Sequence, residues 1–90
     1  MVALSKGNDI TVASSITPTH DVHRLTSTGT INTINTPSPS FCGFVILIFD
    51  NAGISFGTSG NIEQVNLSYD NKVSYMFVYD PSSSKWHFVT

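Results

Sequence analysis

Ninety residues with four Lys and Arg, six Asp and Glu and a net charge of −2 leave no basic stripe to neutralise a phosphate backbone, which excludes nucleic acid as a ligand class. A chain this short makes one domain that buries only about two-thirds of the surface it exposes when unfolded. Its single cysteine, Cys42, rules out an intrachain disulfide, so self-association is the expected supplement to a thin core.

Helix-forming residues are scarce beside Thr, Val, Ile, Phe and Tyr, so the expected fold is all-β, with a flexible segment over residues 1–8 and a single domain over 9–90. The first residues lack the apolar core of a signal peptide, and no apolar run is long enough to span a bilayer, so a soluble protein without membrane insertion is expected. In chain order, Asp9 to Ser14 alternates and places Ile10 and Val12 on one face of a first strand, which Thr17-Pro18-Thr19 ends. A second strand lies within Asp21 to Thr28. Ile31 and Ile34 follow, three apart, so a flat strand would point them to opposite faces; a bend, a bulge or a wall on both sides is required. Thr36 to Ser40 is a proline-bearing loop.

Cys42 to Phe49 is the one long apolar run and reads as a central strand buried on both faces, with Cys42 inside it as a small hydrophobe. After the turn at Asp50 to Gly53 come a short strand at Ile54-Ser55-Phe56, a Gly-rich turn, a strand from Asn61 to Leu67 and a turn at Tyr69 to Lys72. Val73, Tyr75, Phe77 and Tyr79 then share one face of a strand. Asp80 to Ser84 forms a hairpin loop, and Lys85 to Val89 returns antiparallel with Trp86 and Phe88 on one face. Weak echoes, such as Thr28-Gly29-Thr30-Ile31 and Ser59-Gly60-Asn61-Ile62, hint at repeated β rungs.

Chemistry-bearing residues are few. His20-Asp21-Val22-His23 resembles a metal site, but nothing else in the chain completes a coordination sphere, so no metal and no cofactor are expected. No nucleophile elbow is present, and the aspartates fall mostly in turns, so no catalytic residues are expected; a small hydrolase using His20, Asp21 and His23 is a remote reading. Aromatic rings can stack on sugar faces while Asn and Asp bind hydroxyls. The candidate ligand-binding residues are therefore Tyr69, Asp70 and Asn71 at one turn and Tyr79 and Asp80 at the hairpin loop, with Trp86 assigned to the core.

The order Asp21-Val22-His23, Thr28-Gly29-Thr30-Ile31-Asn32-Thr33-Ile34, Gly43-Phe44-Val45-Ile46-Leu47, Gly60-Asn61-Ile62 and Tyr79-Asp80 followed by Trp86 resembles a C-terminal module of phage tail fibres and tailspikes. The likeness spans about Thr19 to Val89. It departs at the hairpin loop, where that module tends to have Asp-Gly and this chain has Asp80-Pro81-Ser82-Ser83-Ser84. The histidine spacing also differs from the His-x-His of iron-binding fibres, so that metal function is not implied.

The resemblance implies a non-enzymatic homotrimer at the virion's fibre or spike tip, acting in assembly and in recognition of a host cell-surface polysaccharide. The expected architecture is a small β-sandwich or β-prism-like domain of short strands, assembled as an intertwined or side-by-side homotrimer. Ile31, Ile34, Phe44, Ile46 and Ile48 form its expected shared core. The alternative is a monomeric carbohydrate-binding module of a bacterial surface or secreted protein, which requires a row of exposed aromatics such as Tyr75 and Tyr79.

Overall fold

The computed structural model describes residues 3–63 and 72–89, and every described element is a strand. The strands are β1 (Ile10–Thr11), β2 (Ser15–Ile16), β3 (Val22–Thr26), β4 (Gly29–Ile31), β5 (Thr33–Ile34), β6 (Gly43–Phe49), β7 (Ile54–Phe56), β8 (Val73–Asp80) and β9 (Lys85–Phe88). Successive passes of the chain stack in parallel: β1 on β3 on β6, β2 on β5, and β4 on β7. The antiparallel β8 and β9 complete a five-stranded sheet in the order β1-β3-β6-β8-β9. The segments of the sequence echo do not stack on one another: Gly29 stacks on Ile54 and Ile31 on Phe56.

The core gathers one face of each strand. Val45, Leu47 and Phe49 point inward from β6, Tyr75, Phe77 and Tyr79 from β8, and Trp86 from β9, against Leu25, Ile31, Ile34, Ile54, Phe56 and Ile62. The Phe49 and Tyr75 rings lie 4.7 Å apart, as do Phe56 and Phe77. The central strand departs from expectation here. Phe44, Ile46 and Ile48 are only half-buried, so β6 is covered on one face by its own chain. An unbroken apolar run does not distinguish two covered faces from one covered face and one apolar outer face. Cys42, expected inside the run, precedes β6 and is exposed.

Ile31 and Ile34 are both wholly buried, and a corner between β4 and β5 brings them into one core. Asn32 and Thr33 both donate their N–H groups to the Ser14 carbonyl, at 2.9 and 3.0 Å, and this shared acceptor holds the bend. Their burial therefore needs no neighbouring chain. Part of the N-terminal segment bonds to β3. Val22 N–H donates to Ser5 C=O at 3.1 Å, and Gly7 N–H to Val22 C=O at 2.9 Å.

Gly60 lies so close to the Asn32 carbonyl and the Thr33 hydroxyl that a Cβ would collide with both, which explains a glycine at the head of Gly60-Asn61-Ile62. Asn61 next to it pairs through its side chain with the Ile34 backbone, and Ile62 enters the core.

Candidate functional site

A groove of about 440 Å³ opens where the chain enters β3 and leaves β5. Thr17 to Asp21 forms one wall and Asn35 to Pro37 the other, while Phe41, Phe44, Val45 and Trp86 make the floor. Pro18 and Pro37 fix their own φ and cannot donate to a ladder, so both walls lie outside the sheets. Asn35 clamps the walls together, its Nδ2 donating to Ser15 Oγ at 3.0 Å and to Thr17 Oγ1 at 2.9 Å. The floor is fixed from below. Trp86 Nε1 donates to the Ile34 carbonyl at 2.8 Å, and Phe41 packs against Trp86 with ring centroids 6.1 Å apart.

His23 shapes the first wall from inside. Its ring is 2 % exposed, and its Nε2 accepts the backbone N–H groups of Thr19 and His20, each at 3.0 Å. An acceptor at Nε2 places the ring proton on Nδ1, which donates to the Asn8 carbonyl at 2.7 Å. Both nitrogens are thus committed to backbone, which removes His23 from metal ligation and from acid–base chemistry. The buried imidazole works as a bracket between the Thr19–His20 wall and the N-terminal segment, and Gly7 leaves it room where a Cβ would strike the ring. His20 is exposed, with its Nδ1 at 2.8 Å from Thr19 Oγ1. Asp21 accepts from the Ser5 backbone and hydroxyl through Oδ2, at 3.3 and 3.2 Å.

Tyr69, Asp70 and Asn71 lie outside the described residues. Tyr79 is 5 % exposed and packs edge-on against Trp86 at 5.2 Å, so it is a core ring rather than an open platform. The alternation of β8 places it there: Tyr75, Phe77 and Tyr79 face the core, as the spacing predicts, whereas Val73, in step with them at the start of the strand, is 41 % exposed. Asp80 holds the hairpin loop, accepting from Ser82 N–H at 2.9 Å and Ser82 Oγ at 2.7 Å. Those bonds from Ser82, side chain first and backbone second, keep the Asp80 carboxyl below its ordinary range. Trp86 is buried, as expected of a core residue.

Among the residues assigned to a shared trimer core, Ile31 and Ile34 are enclosed by their own chain, whereas Phe44, Ile46 and Ile48 line the outer face of the five-stranded sheet. Direct register partners extend that face: Val22 and Met76 flank Ile46, and Val78 lies beside Phe44. Val78 is 39 % exposed. At the far end the face turns polar, with Arg24 and Ser74 flanking Ile48. There Arg24 bonds Asp9 and Asp50, and Lys72 bonds Asp50 at 2.6 Å. The Lys72 ammonium, and after it Arg24, holds the Asp50 carboxyl below its ordinary range, while Asp9 chiefly raises Arg24.

Among the described residues no three His, Cys, Asp or Glu side chains converge as metal ligands would. The groove itself escapes a reading of the sequence. Asn35, Phe41 and Thr17 sit in segments that look like plain loops, and the one available signal is the pair of X-Pro steps flanking β2 and β5. Comparison of the chain with protein-family models, with curated proteins and with solved structures yields no match.

Proposed function

We propose that this chain is a distal domain of a phage tail fibre or tailspike, non-enzymatic, assembling as a homotrimer and recognising a host-surface glycan. The observation that carries the assembly half is the outer sheet face, where Val22, Phe44, Ile46, Ile48, Met76 and Val78 form an apolar stripe left half-covered. Contiguous apolar surface of this kind marks an interaction site more often than chance exposure does. Side chains of this size gain about 1.5–3 kcal/mol each on going from exposed to buried, and these have part of that gain still to make. A threefold assembly that apposes three such faces covers them without adding a layer to the single chain.

The groove supports the recognition half, because it combines ring faces with polar side chains on opposite walls. The monomeric carbohydrate-binding module is less well supported. Its row of exposed aromatics does not form on β8, where Tyr75 and Tyr79 face the core. Sedimentation equilibrium of the full chain tests the proposal: a mass of three chains at micromolar concentration is expected, and a stable monomer overturns it.

A further inference from the structure

We propose that the groove between the Thr17–Asp21 and Asn35–Pro37 walls is a saccharide site that selects uncharged sugars and rejects acidic ones, an inference that rests on the glycan-recognition reading above. A volume of about 440 Å³ falls within the ~300–1,000 Å³ of small-molecule sites. The half-buried ring of Phe41 offers the apolar floor on which the C–H face of a pyranose packs, while Phe44 beside it belongs to the outer sheet face proposed for assembly. Selection comes from the polar atoms left over once the chain's own bonds are made.

Asp21 uses Oδ2 on Ser5 and leaves Oδ1 without a partner. Asn35 uses Nδ2 on Ser15 and Thr17 and leaves Oδ1 open. His20 uses Nδ1 on Thr19 and leaves Nε2. Two of these three open positions are oxygens of Asp21 and Asn35 that accept. A sugar hydroxyl supplies the donor each requires. A uronate or sialate carboxylate, or a phosphate, supplies acceptors and negative charge, and among the described residues lining the groove there is no Lys or Arg to meet them. Bringing such an anion beside Asp21 in a partly dehydrated groove is opposed by like-charge repulsion, against which the described lining offers only the His20 Nε2 and no Lys or Arg.

The test is a glycan array carrying neutral and acidic oligosaccharides, probed with the full chain, followed by titration of the strongest binder into ¹⁵N-labelled protein. The expected result is binding confined to neutral glycans, with shifts at the Asn35 side-chain amide and at the backbone amides of His20 and Phe41. In Asp21→Asn the neutral binder is expected to weaken about tenfold, the loss of one charge-assisted hydrogen bond. Because the shift map is read on the unaltered chain, a variant that fails to fold does not stop the test. Binding to acidic glycans alone, or neutral binding that shifts residues away from the groove, overturns the site while leaving glycan recognition standing. No binding to any glycan overturns both.

Discussion

Asn61 stands beside Ile34 as a strand would: its Oδ1 accepts the Ile34 N–H at 2.9 Å and its Nδ2 donates to the Ile34 carbonyl at 2.8 Å. A single side chain thus continues the β2–β5 stack by one position; the strand expected from Asn61 to Leu67 lies mostly outside the described residues. In Asn61→Ala the Ile34 carbonyl keeps its bond from Trp86, but its buried N–H is orphaned. The expected cost is about 1–3 kcal/mol of unfolding free energy, read from urea melts. Asn61→Asp is expected to fail to restore it, since a carboxylate then faces the Ile34 carbonyl. A variant indistinguishable from the parent would show that the side-chain pairing carries no stability.

His23 predicts a spectroscopic signature as well as a mutational one. Its imidazole is expected to give the ¹⁵N shifts of the tautomer protonated at Nδ1, since Nε2 accepts from Thr19 and His20. His23→Phe preserves the ring's bulk and strips both functions, leaving two N–H donors and the Asn8 carbonyl without a partner. Amide exchange at Thr19 and His20 should then accelerate while the β8–β9 hairpin keeps its protection. Uniform acceleration across the chain would contradict a local bracket.

Asp50 should govern part of the acid limb of stability. Its carboxyl is held low in the folded chain by Lys72 first and Arg24 second. The contribution is therefore present above the ordinary carboxylate range, about pH 4, and is lost as pH falls through the lower folded value. Asp50→Asn is expected to be less stable than the parent at neutral pH, with the difference closing below about pH 4 and shrinking in high salt, because these side chains are partly exposed. Thermal melts across pH and ionic strength check both trends.

Val78→Lys places a charge on the apolar outer face at a side chain already 39 % exposed. The single chain should fold as before, since the inward face of β8 is untouched, while the proposed trimer should dissociate. Sedimentation together with far-ultraviolet circular dichroism separates the two outcomes. A trimer that persists would move the assembly surface elsewhere.

Local features of this fold are legible in the sequence and distant ones are not. The Asp80 to Lys85 hairpin, the Ile54-Ser55-Phe56 strand and the inward face of β8 follow from turn residues and alternation within a few positions. The parallel stacking of β1, β3 and β6 joins segments separated by whole passes of chain, and no periodicity announces it. Ile31 and Ile34 illustrate the limit. Their spacing demands a bend or a second wall, and only the shared Ser14 acceptor decides for the bend. The groove was hidden for the same reason, because its two walls meet only once β2 lies on β5.

The pattern of pairing also sets the order of events in folding. Among the described strands β8 and β9 are the only consecutive pair that bond to each other, so the Asp80 to Lys85 turn offers the one contact with a small loop to close. Every other ladder waits until distant segments have met, and β3 must be in place before either β1 or β6 has a neighbour on that side. Such non-local architectures fold in about milliseconds to seconds rather than microseconds. During that interval the apolar face of β6 is uncovered on both sides, so the nascent chain is most prone to aggregate while its hairpin is formed and its rungs are not.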